Sequence, residues 1–457
     1  MGTTNSRAQG VAVVLIVLAI LGCICVLVAA CVAAGYYLYK NNAGSLPSLP
    51  MQSGGPVTPE PTVTVNRPPG DAISKETQAA LDQTLIPDSD LYGLACRLKD
   101  TCNVPHTLPG PLTPLQVGAK QKFWVSNADT SSNFQVDTTL RYITPHSYFW
   151  AEDDVQAKNS DIKALMDTFE NKIYPTDREF FGSEWTPGVD NDPHIYILYV
   201  RGVGSSIGGY FSSQDEVNPA VYKYSNGHEL FIFNADGESL TDTYTYATLA
   251  HEFQHMIHYN QDRNETSWMN EGFSEVAMLL NSYGVAGVDA VFAQQPDLPL
   301  TEWTSLSSDP GITAAHYGEA FLFLDYFLDR FGPQVTQAVV RNPLNSLESL
   351  DDTLGTMHVT DKLTGKPVRA DDVVMDWMAT MYLQDASVGD GRYAYHNYPD
   401  APRVSATKQI DTCPQPPVQG SVSQYGAEYI QIRCAGTYTL SFAGSTVAKI
   451  MPTDAHS

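Results

Sequence analysis

Short apolar runs and longer helical periodicities divide this chain into a strand-rich part and a helix-rich part. Strands are predicted at 123–125, 138–143, 194–200 and 229–234, and a helix feeding a Tyr-Pro pair is predicted at 160–173. After residue 275 the apolar spacing becomes helical, at 277–283, 319–331, 333–341 and 371–383. Two further helices, 241–260 and one beginning near Trp268, lie between these parts. The pattern predicts an α+β domain at 86–390, with a mixed-sheet lobe to about 240 and a helical lobe at 241–390.

The N-terminal residues predict a membrane anchor and a tether. Residues 1–10 are polar and predict a cytoplasmic tail, and Val11 to Tyr39 is a stretch of 29 uncharged residues, long enough to span a bilayer. A lipoprotein signal ending at Val28-Ala29-Ala30-Cys31 is the alternative, but the apolar run continues past it, which favours an uncleaved anchor. Residues 40–85 are rich in Pro, Gly and Ser and predict a linker.

The C-terminal residues 409–457 predict a small β segment. Apolar and polar residues alternate at 428–432 and 437–441 on either side of Gly436, which is typical of antiparallel strands. So short a sheet is marginal as an independent core. The segment therefore either packs on the preceding domain or belongs to a larger β-sandwich.

Charge and cysteine usage indicate where the domain works. The net charge of −25, with only 26 Lys and Arg, argues against nucleic acid or anionic lipid as a partner. Of the seven cysteines, four lie outside the apolar segment and form two local pairs, Cys96 with Cys102 and Cys413 with Cys434. Such pairs suit disulfides in an oxidising compartment, so we expect an extracytoplasmic domain at a bacterial cell surface.

The residues that carry chemistry begin with H-E-x-x-H at 251–255. On a helix, His251 and His255 lie on one face, so both imidazoles can bind one metal ion. Glu252 lies about 100° further round, where a general base for a metal-activated water belongs. Glu271, in Asn270-Glu271-Gly272-Phe273-Ser274-Glu275, is the candidate third ligand. Two imidazoles and one carboxylate leave a fourth zinc position open for water, as in hydrolytic sites.

The two segments together resemble the gluzincin metallopeptidases, and the stretch HEFQHMIHYNQDRNETSWMNEGFSE is most similar to the hyicolysin type. The resemblance implies a zincin-like two-lobe fold with the cleft between the lobes. It also implies zinc bound by His251, His255 and Glu271, with Glu252 as the base. Glu275 matches the acidic residue that steadies the first histidine, although thermolysin has Asp there. The short gap between His255 and Glu271 predicts a tight inter-helix loop.

The family also supplies a Tyr or His that stabilises the oxyanion. Ala315-His316-Tyr317-Gly318 opens the predicted helix 319–331, and Tyr317 is preferred over His316 for this role. The strand-like segment 207–213 is a candidate for the edge strand on which zincins align substrate. Its Gly208-Gly209 pair would permit close approach, although such a pair more often marks a loop. His258 lies about 10 Å along the helix from His251, too far to share the ion, and is interpreted as a cleft-rim or surface residue.

Calcium is a secondary expectation at Asp190-Asn191-Asp192, where a polar turn is the favoured interpretation. The sequence therefore predicts a membrane-anchored, extracytoplasmic zinc metallopeptidase acting on a protein or peptide substrate. A catalytically silent surface-binding module with the same fold is one alternative, and a zinc hydrolase of a non-peptide amide or ester is another.

Overall fold

The computed structural model describes residues 90–111, 113–303, 309–414, 416, 419–437 and 441. The predicted tail (1–10), anchor (11–39) and linker (40–85) lie outside these residues. Among the helices of the described part, none is both long and apolar enough to cross a membrane.

The helices and strands are numbered here in chain order. The strands are β1 (Lys120–Asn127), β2 (Ser132–Ile143), β3 (Ser147–Glu152), β4 (Ile195–Val200), β5 (Gly209–Phe211), β6 (Leu230–Asn234), β7 (Lys408–Ile410) and β8 (Ile430–Ile432). The helices are α1 (Leu91–Lys99), α2 (Asn159–Thr168), α3 (Tyr174–Phe181), α4 (Thr243–Gln261), α5 (Ser267–Leu280), α6 (Val288–Ala293), α7 (Pro310–Phe331), α8 (Pro333–Val340), α9 (Ser346–Thr356) and α10 (Ala370–Leu383).

Six strands form one mixed sheet in the order β1-β2-β3-β4-β6-β5. The β1–β2, β2–β3 and β5–β6 pairs are antiparallel, whereas β4 pairs in parallel with β3 and β6. The sheet is followed along the chain by a run of helices from α4 to α10. This arrangement confirms the predicted α+β class with a mixed sheet.

Both faces of the sheet centre are buried, as β4 shows. Ile195, Ile197 and Tyr199 point into the large core that the sheet shares with the helices, because successive side chains on a strand face opposite ways. Leu198 and Val200 point into a smaller core on the other face. A strand buried on both faces is a continuous apolar run, which is why β4 was predictable from its sequence.

Several boundaries differ from the predicted ones. The helix predicted at 160–173 continues through a π-helical turn, Phe169–Ile173, into α3, where Pro175 stands in the first turn and needs no amide hydrogen. Helix α7 begins at Pro310, capped by the Asp309 side chain, and not near residue 319. The interpretation of Tyr317 as a residue at the helix start is therefore wrong. Strand β3 and helices α1, α6 and α9 had no counterpart in the predicted elements.

Described residues of the C-terminal segment, between 423 and 429, contact the domain before it. Ala427 N donates to Pro296 O, Ser423 N donates to Asp297 Oδ1, and Tyr429 OH donates to Met378 O. Strand β8 pairs in parallel with β7. Residues 438–440 lie outside the described part, so the antiparallel partner of 428–432 stays a prediction.

Both predicted cysteine pairs are disulfides. Cys96 is bonded to Cys102 and Cys413 to Cys434. These bonds agree with the expected oxidising compartment.

A buried acid–amide pair joins α3 to the end of α5. Asn281 Nδ2 donates to Asp177 Oδ1 at 2.6 Å. Asp177 Oδ2 and Asn281 Oδ1 are also buried, and neither has a hydrogen-bond partner. Burial raises the pKa of Asp177 well above its ordinary value, against the lowering effect of Asn281. A proton retained on Asp177 would give the Asn281 oxygen a donor.

Asp177 should make the protein less stable as pH rises. Because its folded pKa is raised, its contribution is complete below the ordinary pKa of 3.8 and is lost as pH rises towards the folded value. Asp177→Asn keeps a neutral side chain of the same shape, so we expect it to flatten this loss. At pH 8 the variant should equal or exceed wild type in free energy of unfolding, by up to about 1–3 kcal/mol. Denaturant unfolding of both chains at pH 5 and pH 8 checks this, and a larger deficit of the variant at pH 8 than at pH 5 contradicts it.

Candidate metal centre

Helix α4 supports two histidines on one side and the core on the other. His251 and His255 are one turn apart and partly exposed. The predicted apolar stripe of Leu249, Phe253 and Ile257 is fully buried. Helix α4 packs against both β5 and α5. The two imidazoles therefore lie in the space that β5 and α5 border.

Helix α5 brings Glu271 to these imidazoles. Only residues 262–266 separate the two helices, which confirms the predicted tight loop. The loop is fixed from outside, since Asn345 Nδ2 donates to Asn264 O and Ser346 N donates to Glu265 Oε1. Because the connection is short and pinned, the first turns of α5 lie directly beside the histidine face of α4.

Three potential ligand atoms converge at this crossing. His251 Nε2 and His255 Nε2 are 3.0 Å apart, and each is 3.3 Å from Glu271 Oε2. Within the part of the chain that the structure describes, these residues form the one group of three His, Cys, Asp or Glu donors close enough to share an ion. Ligands about 2.0–2.1 Å from a tetrahedral zinc would lie roughly 3.3–3.4 Å apart. The spacing and chemistry of the donors therefore fit zinc.

Each imidazole has a partner for its other nitrogen. His251 Nδ1 lies 3.3 Å from Glu275 Oε1, the contact that the family resemblance implied. His255 Nδ1 contacts Asn270 Oδ1 and lies 3.0 Å from Ser274 Oγ. A proton donated from Nδ1 leaves the Nε2 lone pair free for a cation. Asn270 and Ser274 were not predicted to have a role, although both belong to the motif that contains Glu271.

The Glu271 carboxylate is the one acidic side chain among the three potential ligands. Its Oε2 is buried between the two imidazoles. Burial alone would raise the pKa of Glu271, but the adjacent His255 and His251 outweigh burial and lower it below the ordinary value. The site therefore favours an ionised carboxylate, which is the form that binds a cation.

Glu252 lies beside the three donors and is held by the sheet. Its side chain is 5% exposed, and its Oε2 accepts the Phe211 N–H of β5 at 2.7 Å. Burial raises the pKa of Glu252 above its ordinary value, against the lowering effect of His251 and His255. A carboxylate with a raised pKa is a stronger proton acceptor than an ordinary glutamate.

Of the two candidates on α7, the structure brings Tyr317 to the site. Its ring centroid is 6.2 Å from that of His251, and the indole of Trp303 meets it edge-on at 5.0 Å. Burial, and then the charge of Glu271, raise the pKa of the Tyr317 phenol, which keeps it protonated as a donor. His316 is 4% exposed, and its Nδ1 lies 3.7 Å from Glu319, a neighbour on its own helix.

The interpretation of His258 as a cleft-rim or surface residue is wrong. It is 1% exposed, packs against the Phe273 ring, and its Nδ1 lies 3.3 Å from Gln254 Nε2. Burial, assisted by the charge of His255, lowers the pKa of His258 to about 3. It is a neutral core residue between α4 and α5 and is not among the convergent donors.

The aspartates of the expected polar turn at residues 190–192 are hydrogen-bonded by neighbouring protein groups. His228 Nδ1 contacts Asp190 Oδ2. Asp192 accepts hydrogen bonds from the Tyr148 hydroxyl and the His194 amide. These partners favour the structural role over the calcium site.

No protein-family model matches the chain. A curated relative, the neutral metalloprotease ShpI of Staphylococcus hyicus, is 26% identical over 281 residues, which cover 53% of this chain and 59% of the relative. The chain thus spans about three fifths of the length of that protein. The match confirms the predicted resemblance to gluzincin-type zinc metallopeptidases.

Solved structures show a distant likeness. An aminopeptidase A of Legionella pneumophila in complex with aspartic acid has a TM-score of 0.32 at 12% identity, covering 57% of this chain and 27% of its own. An M1 zinc metallopeptidase variant of Deinococcus radiodurans has a TM-score of 0.30 at 11% identity, covering 57% of this chain and 62% of its own.

Substitutions around the donor group should weaken metal binding more, the closer the substituted side chain lies to the proposed ion. We expect Asn270→Ala to reduce zinc affinity by about 10- to 100-fold, because it removes the partner of His255 Nδ1. Glu271→Gln should cost more, because it removes a charged donor. Competition with a fluorescent zinc chelator measures both effects. His396→Ala, an exposed histidine paired with Asp329, is the control, and a loss in it equal to that of Glu271→Gln contradicts the assignment.

Proposed function

We propose that this chain is an extracytoplasmic zinc metallopeptidase that hydrolyses peptide bonds of proteins or peptides. The observation that carries the proposal is the convergence of three ligand atoms within 3.3 Å of one another, with the Glu252 carboxylate beside them. The metalloprotease relative supports the same class of activity.

His251, His255 and Glu271 would hold the zinc ion. When bound, zinc supplies a Lewis acid that polarises the scissile carbonyl and lowers the pKa of water. The three side chains leave one side of the site for water and substrate. Glu275 and Asn270 fix the orientation of the two imidazoles from behind.

Glu252 moves the proton in this mechanism. Its Oε2 is engaged by the Phe211 amide, so Oε1 is the oxygen that takes the proton from the attacking water. The same carboxyl then gives that proton to the leaving amine nitrogen. The raised pKa of Glu252 favours the first step, because a stronger base takes the water proton more readily.

Tyr317 would stabilise the carbonyl oxygen as it gains negative charge. Its phenol remains protonated, because the surrounding carboxylates and burial oppose ionisation. A fixed donor aimed at a developing oxyanion acts in the transition state more than in the ground state.

Strand β5 is at one edge of the sheet in the described part of the chain, and its outer side is suited to align a peptide. Asn234 N donates to Gly208 O, and because ladder hydrogen bonds alternate along antiparallel strands, Tyr210 also faces β6. Gly209 and Phe211 therefore point their backbone groups away from β6, as the bond from Phe211 N to Glu252 shows. The Gly209 amide and both carbonyls remain for a substrate that adds as a further strand beside Glu252.

The proposed location rests on the cysteines and the N-terminal sequence. Both disulfides suit an oxidising compartment. We propose that the uncharged segment 11–39 anchors the peptidase at the cell surface, with the domain outside the membrane.

Glu252→Gln tests the activity directly. The amide keeps the size of the side chain but cannot accept the water proton, so kcat/KM on denatured casein should fall by about 10²- to 10⁴-fold. Zinc content should stay at the wild-type level. Glu348→Gln, which changes an exposed glutamate of α9, is the matched control and should keep full activity. Equal hydrolysis by wild type and Glu252→Gln, or none by zinc-loaded wild type, contradicts the proposal.

A further inference from the structure

Helix α7, which carries Tyr317, packs closely against α6 at Gly318. A Cβ added at Gly318 would lie 2.1 Å from Val288 O, 2.5 Å from Val288 C and 2.8 Å from Asp289 N. All three atoms belong to the backbone at the start of α6, so no side-chain rotation can make room. A larger residue at 318 would have to move α7 away from α6.

A second glycine seats α7 against α5. Gly272 directly follows Glu271, and a Cβ there would lie 3.0 Å from both the carbonyl carbon and the Cβ of Ala320, and 2.8 Å from Leu324 Cδ1. Helix α7 makes its most extensive helix contacts with α5 and α6. The two glycines therefore set how closely α7 approaches both of its main neighbours.

Backbone conformation does not explain these glycines. Both lie inside helices, and neither has the positive φ that favours glycine. Alanine is intrinsically the better helix former at such positions. Space is the remaining reason, and Gly355 of α9 supplies the contrast, since a Cβ there would meet no atom within 4 Å.

Each of the two glycines is next in sequence to a residue of the candidate site. Gly318 is the next residue of α7, and Gly272 is the next residue after the candidate ligand Glu271. A helix moves as a rigid rod over this length, so displacing α7 displaces the Tyr317 ring from its 6.2 Å separation to His251. The ligand atoms are supplied by α4 and α5 and would stay together.

We propose that Gly272 and Gly318 are positioning residues that hold the Tyr317 hydroxyl in place over the metal centre. The proposal rests on the proposed function, because it assigns these glycines to the transition-state donor of that reaction. A purely structural role predicts lost stability alone, whereas positioning predicts a catalytic loss that depends on the Tyr317 hydroxyl.

The test compares Gly272→Ala, Gly318→Ala and the control Gly355→Ala, each alone and combined with Tyr317→Phe. We expect the first two to lower kcat by about 10- to 100-fold, since displacements near 1 Å have effects of that size. KM should change by less than about twofold, and zinc content should not change. In the Tyr317→Phe background the same glycine substitutions should lower kcat by less than about twofold, because they act through a hydroxyl that is already absent. Gly355→Ala should match wild type throughout.

Crystal structures of the single variants give a measurement that is independent of activity. The His251–Tyr317 ring separation should differ from 6.2 Å by at least a few tenths of an ångström in Gly272→Ala and by more in Gly318→Ala, and stay unchanged in Gly355→Ala. Should Gly318→Ala fail to fold, Gly272→Ala carries the test, because its closest contact is the flexible end of Leu324.

Three results would overturn the positioning role. They are an unchanged kcat in Gly272→Ala, a glycine substitution that lowers kcat by the same factor with and without the Tyr317 hydroxyl, and an unchanged His251–Tyr317 ring separation in the glycine variants. Full kcat in Tyr317→Phe would overturn it together with the assigned donor. A zinc-loaded wild type without peptidase activity would instead refute the proposed function, and the ring separation would still decide whether the glycines place Tyr317.

Discussion

The crossing of α4 and α5 imposes the constraint on which the site depends. It places a buried carboxylate oxygen of Glu271 3.3 Å from each of two imidazole nitrogens. When His251 and His255 donate their Nδ1 protons to Glu275 and Asn270, three lone pairs face one another in a poorly solvated space. Such an arrangement is unfavourable unless a cation fills it, and a divalent metal satisfies all three atoms at once.

The crossing of α4 and α5 also contains several buried polar side chains. Ser274 and Gln254 are hydrogen-bonded to each other between the helices, and His258 joins them as a neutral base. These groups satisfy one another without adding a charge near the metal centre. The sheet contributes through β5, whose Phe211 amide donates to Glu252 of α4 and so ties the candidate base to the strand proposed to align substrate.

The chemical residues were predictable because their spacing is local. His251 and His255 are four apart on one helix, and the apolar positions between them identify its buried side. Glu271 and Glu275 follow the same logic on α5. The error at His258 has a physical cause: its position excludes it as a ligand, but local spacing does not tell whether a polar residue faces solvent or a buried partner from another helix.

The sequence by itself determined the α+β class, the two helices α4 and α5 and the candidate ligands on them, since apolar periodicity and four-residue spacing are properties of single elements. Only the tertiary structure decided which α7 side chain reaches the site, which groups orient the imidazoles, and where α7 begins. Those outcomes depend on how closely separate helices approach. That approach is fixed by contacts such as those of Gly272 and Gly318, between residues tens of positions apart or on different elements.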